Sequence, residues 1–195
     1  MALSLFDSSR DSLLFLHQFT GKPHQAFLIS DNTEAVVFRN GELSSPYRSG
    51  DQIPPVILKA LHANKAGQQG GIYICRKQQV YTLKWGCGDI ATPFGQTLGA
   101  NGEMQVAITN SRLLVKRFAL SLPAFSPEGF QKGMDTALTS WIRKGLTAKA
   151  NILETDEMSR LDEVLFTSLE HQLQLPLMDA GLGLLHLHIE DVLVF

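Results

Sequence analysis

The stretch Gly70 to Phe94, GGIYICRKQQVYTLKWGCGDIATPF, constrains the fold more than any other part of the chain. Ile72 to Cys75 and Val80 to Trp85 are both β-type runs. Ile72 and Ile74 fall on one side of the first, Tyr73 and Cys75 on the other. Val80, Thr82 and Lys84 oppose Tyr81, Leu83 and Trp85 in the second. The polar tetrad Arg76-Lys77-Gln78-Gln79 joins them, so the reading is an antiparallel hairpin over Ile72 to Trp85 with a large aromatic anchor. Gly86, Gly88 and Thr92-Pro93 then interrupt the pattern. The stretch holds no nucleophile–base pair and no complete metal set.

The rest of the chain adds elements on either side. Leu13 to Phe19 is β-like. Ala26 to Ser30 and Glu34 to Arg39, separated by Asp31-Asn32-Thr33, predict a second hairpin. Asn40-Gly41 is a further tight turn, between Phe38 and Leu43. Pro55 can open a short helix to about Ala63, because proline lacks only an N–H that the first turn leaves unpaired. Ala66 to Gly71 and Gly95 to Gly102 read as loops. Met104 to Thr109 and Leu113 to Leu120 predict a third hairpin around Asn110-Ser111. Ser126 caps a long helix whose Phe130, Met134, Leu138, Trp141 and Ile142 share one face. It continues past Gly145 to about Lys149. Thr155 caps the next helix, with Asp156 and Glu157 in its first turn and a stripe of Met158, Leu161, Leu165, Leu169 and Leu173. Pro176 is expected to end it, and Leu184 to Val194 is the last strand.

A length of 195 residues suits one domain over residues 11–195, with residues 1–10 as a flexible lead-in. A net charge of -2 argues against a nucleic-acid binder, which carries a strongly basic face. Two cysteines are too few for a disulfide scaffold, so a reducing cytoplasm is the expected setting. No apolar run reaches the roughly 20 residues that span a bilayer. The opening Met1-Ala2-Leu3-Ser4-Leu5-Phe6-Asp7 lacks the basic start of a secretory signal.

Three stretches together resemble the SPFH family (stomatin, prohibitin, flotillin; also band 7), in its bacterial virion-core-protein-like branch. They are Ala26 to Ile53, AFLISDNTEAVVFRNGELSSPYRSGDQI, then Gln79 to Phe94 with its Leu-Lys-Trp-Gly core, and Gly181 to Val192, GLGLLHLHIEDV. The resemblance implies an α+β fold: a curved, largely antiparallel sheet of hairpins packed by two long helices and one short helix. It implies a non-enzymatic scaffold or protein-interaction role without cofactors, self-associating, cytoplasmic and peripheral to the inner membrane. Some relatives add a long helical tail or a zinc ribbon; with no CxxC pair in this sequence, tail-driven assembly and a ribbon function are not expected.

Candidate sites are few. His186, His188 and Glu190 alternate along the last strand, and a period of two places them on one face. His186 and His188 are therefore metal candidates. Along an extended strand, however, His186 and Glu190 stand about 13 Å apart at roughly 3.3 Å per residue, beyond the reach of one ion. Cys75 and Cys87 are candidates for a redox pair, which needs Cα atoms within about 7 Å. A small metal- or thiol-dependent enzyme built on these residues is the alternative function. Trp141 reads as core and Trp85 as a contact residue. Leu3, Leu5 and Phe6 could touch a bilayer, but three apolar side chains at about 1.5–3 kcal/mol each predict weak attachment or none. Val194 and Phe195, in the apolar ending Val192-Leu193-Val194-Phe195, are the further contact candidates and favour a homo-oligomer.

Overall fold

A computed structural model describes residues 3–4, 14–17, 26–39, 41–62, 70–77, 79–118, 124–125, 127–154, 157 and 160–195. In chain order the elements begin with β1 (Leu3–Ser4), β2 (Leu14–His17), β3 (Phe27–Leu28), β4 (Thr33–Arg39), β5 (Glu42–Leu43), β6 (Tyr47–Arg48) and β7 (Gln52–Ile53). Helix α1 (Pro55–His62), β8 (Gly70–Arg76), β9 (Val80–Ala91), β10 (Thr97–Ile108) and α2 (Ser111–Phe118) follow. Then come β11 (Ala124–Phe125), α3 (Pro127–Ala150), α4 (Leu161–Asp179) and β12 (Leu182–Val194). The class is α+β, with antiparallel sheets and one parallel strand pair, β1 with β3.

These elements form two compact units. The first holds residues 1–79 and 108–130, the second residues 80–107 and 131–195. No linker composition marks the division. The chain passes between the units at 79/80, 107/108 and 130/131, the last two inside β10 and α3.

In the first unit the central strands are buried on both faces. Ala35, Val36 and Val37 of β4 are buried in succession, as are Ile72, Tyr73, Ile74 and Cys75 of β8. Strand β8 lies between β2 and β4, antiparallel to each, and β4 also pairs with β5 and β6. This overturns two expected hairpins. The runs in Ile72 to Trp85 are both strands, but β8 pairs with β2 and β4 while β9 pairs with β10. Likewise β3 pairs with β7 and β1 while β4 pairs with β8. Asn32, at φ +57°, turns the chain between them, and its carbonyl accepts from the Lys77 amide at 2.9 Å. The Asn40-Gly41 turn does join a hairpin: Phe38 faces Leu43, Arg39 faces Glu42, and Gly41 has φ +85°. Helix α1 begins at Pro55 as expected and buries Leu58 and Leu61 with Ile53 and Phe27.

The expected third hairpin is also corrected. Asn110-Ser111 opens α2, a helix where Leu113 to Leu120 read as a strand. The Asn110 side-chain oxygen accepts from the Leu113 amide at 3.1 Å, and its carbonyl accepts from Leu114 at 3.1 Å. An asparagine in that position caps a helix. The alternation from Met104 to Ile108 belongs instead to β10, which extends back to Thr97 and pairs with β9 from Ala91↔Thr97 to Val80↔Ala107. The connecting turn is short: Thr92 donates to the Gln96 carbonyl and Gly95 adopts φ +78°.

In the second unit β12, β10 and β9 form one sheet in that order. Its buried face carries Tyr81, Leu83, Trp85, Met104, Val106 and Leu187. Helix α3 buries Met134, Leu138, Ile142, Leu146 and Ala150 at every fourth position; Trp141 is half-buried. Gly145 permits a close helix approach: a β-carbon there would stand 3.0 Å from Leu169 Cδ2 and 3.4 Å from Gln172 Cβ. Helix α4 buries Leu161, Leu165, Leu169, Leu173 and Leu177. It runs through Pro176 and ends at Gly181, at φ +79°, whose amide bonds the Met178 carbonyl. Proline removes one amide bond and crowds the carbonyl four residues back, and the helix carries both for its last turn; the left-handed glycine makes the stop. The expected caps Ser126 and Thr155, with Asp156 and Met158, lie outside the described residues.

Candidate interaction edge

The second unit's sheet has two edges, and the chain treats them differently. At the β9 edge the Gln131 amide clips the strand. Its Oε1 accepts from the Lys84 backbone amide at 2.8 Å, and its Nε2 donates to the Lys84 carbonyl at 2.9 Å. Asp135, one turn on, accepts a second hydrogen from the same Nε2 at 2.6 Å and fixes the orientation. The side chain thus occupies the position of a neighbouring strand, a known way of blunting an edge.

The β12 edge has no such cover among the described residues, and β10 is its one strand neighbour there. Thr97 and Phe195 exchange both backbone bonds at 2.9 Å, so the strand stays in the sheet to its end. Its inner part is held tightly. Gly102 of β10 lies where a β-carbon would meet the His188 carbonyl oxygen and stand 2.9 Å from the Trp85 ring. Leu187 is buried there. Beyond it the side chains are bare. Leu193 is 52% exposed, Val194 36% and Phe195 74%, and Leu185 on the other side of Leu187 is 56% exposed. His186, His188, Glu190 and Asp191 are exposed between them.

His186, His188 and Glu190 stand in line on β12, and among the described residues no three histidine, cysteine or acidic side chains are grouped to hold a metal. Trp85, an expected contact residue, is buried at 7% exposure, because its run faces the inside of the sheet. Leu3 falls in β1, and Leu5 and Phe6 lie outside the described residues. Cys75 and Cys87 are free and buried, one in each unit. Burial first, and then the nearby Glu34 carboxylate, push the Cys75 thiol far above its ordinary value against a smaller opposing effect of Lys77. Burial likewise raises Cys87, against Arg143. A thiol kept protonated is a poor nucleophile.

Two polar groupings escaped the sequence reading. In the first unit Ser111, fully buried, donates to Glu34 Oε2 at 2.6 Å; Lys77 stands 3.5 Å from the same oxygen and donates to the Thr109 carbonyl at 2.7 Å. Ser111 touches no solvent and Glu34 and Lys77 are only partly exposed, so the group ties α2 to β4. In the second unit an open cleft of about 400 Å³ is lined by Lys149, Glu157, Arg160, Glu163, Val164, Thr167 and Ser168. Its lysine is already engaged by both Glu157 carboxylate oxygens, at 2.8 and 2.9 Å. Tertiary contacts at separations of 8 to 77 residues build these groups, and no local motif announces them. Among the described residues no helix is long and apolar enough to cross a membrane. Neither a scan against models of known protein families nor a search of curated proteins finds a match to this chain.

Proposed function

We propose that this chain is a non-enzymatic, SPFH-like interaction domain whose second unit self-associates along β12. One observation carries the reading: Leu193, Val194 and Phe195 are exposed on an ordered edge strand, while the opposite edge is engaged by Gln131 at Lys84. Exposed apolar side chains grouped on a strand edge mark a contact surface. The three-part resemblance to the bacterial virion-core-protein-like branch supports the scaffold role. The buried, protonated thiols and the exposed histidine row weigh against the alternative, a thiol- or metal-dependent enzyme.

The magnitudes set the affinity. Leu185, Leu193, Val194 and Phe195 are part-covered already, so each would gain roughly 1 kcal/mol on burial, about half the value for a fully exposed side chain. Eight such side chains in a symmetric pair give about 8 kcal/mol, against an association cost of about 4–15 kcal/mol. New strand hydrogen bonds add a modest net gain. With the association cost at the low end of that range, about 4 kcal/mol remains, near the millimolar range, and strand hydrogen bonds at about 0.5–1.5 kcal/mol each bring the expected dimer into the high micromolar range. Light scattering from low to high micromolar concentration tests it. The mass should rise toward a dimer, and Leu193→Asp/Phe195→Asp should hold it at the monomer. A constant monomer mass throughout removes the proposal.

A further inference from the structure

Resting on that self-association, we infer that two copies join β12 to β12 antiparallel, about a two-fold axis at Ile189, as one continuous sheet. The strand's own sequence selects this register. Antiparallel pairing of identical strands sets residue 189 + n opposite 189 − n. Leu185 then faces Leu193 of the second copy, Leu184 faces Val194 and His188 faces Glu190, each contact occurring twice. The two exposed leucines, 56% and 52% accessible, cover one another, and an imidazole meets a carboxylate.

Neighbouring registers are worse for stated reasons. Centring the axis on Glu190 sets that carboxylate against its own copy, and like charges directly opposite destabilise a sheet. Centring it on His188 sets Leu185 against Asp191 and leaves Leu193 opposite Gly183. A slip by one residue sets the histidine row against the opposite face of the partner strand. The occupant is a second copy because the edge is complementary to itself at three pairs: Leu185 with Leu193, Leu184 with Val194 and His188 with Glu190 lie at equal distances on either side of Ile189, while Phe195 faces Gly183 and Leu187 faces Asp191.

Disulfide trapping tests the register. Residues directly opposite in an antiparallel pair have Cα atoms about 4.5–5.5 Å apart, within the range a disulfide spans. The native cysteines are buried and give little background. Under mild oxidation Ile189→Cys should form a covalent dimer with itself. A mixture of Leu185→Cys and Leu193→Cys chains should form the mixed dimer. Both should form at least tenfold faster than Lys144→Cys, an exposed control on α3. The mixed pair uses two exposed positions and decides the matter if Ile189→Cys does not fold. Trapping no faster than the control, with a wild-type dimer seen by light scattering, overturns the register and leaves self-association standing. A wild-type monomer at high micromolar concentration overturns both.

Discussion

Gly102 and Gly145 lack a β-carbon for different reasons, and their alanine variants separate the two. At Gly102 the added methyl meets backbone, the His188 carbonyl, together with the Trp85 ring at 2.9 Å. Backbone in a sheet cannot step aside cheaply, so Gly102→Ala should cost about 1–3 kcal/mol, the usual range for overpacking. At Gly145 the nearest atom is the end of the Leu169 side chain at 3.0 Å. There a helix gains about 1 kcal/mol from replacing glycine by alanine, which offsets much of the crowding. Urea unfolding should rank Gly102→Ala well below Gly145→Ala; the reverse order would refute the packing at β12. Glu157 supplies a pH signature. Its hydrogen bonds from Lys149, then from the Glu154 amide, hold its carboxyl below the ordinary range. A depressed folded value stabilises the fold above the unfolded pKa, and that stabilisation is lost as pH falls through the folded value. The stability gap between wild type and Glu157→Gln should therefore be open at neutral pH and close on acidification.

At the scale of elements, helix α2 shows where local reading stops. Leu113-Leu114-Val115 looks β-like, and of these three Leu114 and Val115 are buried, with Arg112, Lys116 and Arg117 exposed around them. The decisive residue is Asn110, a turn signal that here caps a helix. Removing its side chain by Asn110→Ala should cost about 1 kcal/mol in urea unfolding. A neutral effect would mean that the Ser111–Glu34 bond holds the helix start by itself. Strands β4, β8, β9 and β12 and helices α1, α3 and α4 were legible, because their apolar spacing is strong and local. Their pairing was not. The tetrad Arg76 to Gln79 looks like a hairpin loop, yet β8 finds its partners far back along the chain, at residues 33–39 and 14–17. Nothing in a two-residue period says which edge a strand will offer to which neighbour. Pro176 misled for a related reason: the helix continues one more turn past it, packed through Leu177, and stops at Gly181.

For the whole molecule, the α+β class follows from the sequence, whereas the division into two units does not, since the chain changes unit inside β10 and α3. The candidate edge was half legible. Val194 and Phe195 could be picked out as apolar side chains at a strand end, but Trp85 could not be recognised as buried before its face of β9 was known. Gln131, which engages the opposite edge at Lys84, carries no signal at all until α3 is laid beside β9. The repeated passage of the chain between units has a bearing on how the molecule is made. A ribosome delivers residues in order, and the first unit remains incomplete while residues 80–107, which belong to the second, are being delivered. Ser111 and the Thr109 carbonyl, the partners of Glu34 and Lys77, arrive only afterwards. The second unit in turn waits for β12, which is delivered after α3 and α4. Until then β10 has one edge without its neighbour, so β12 acts as the latch on a nascent chain before it can meet another copy.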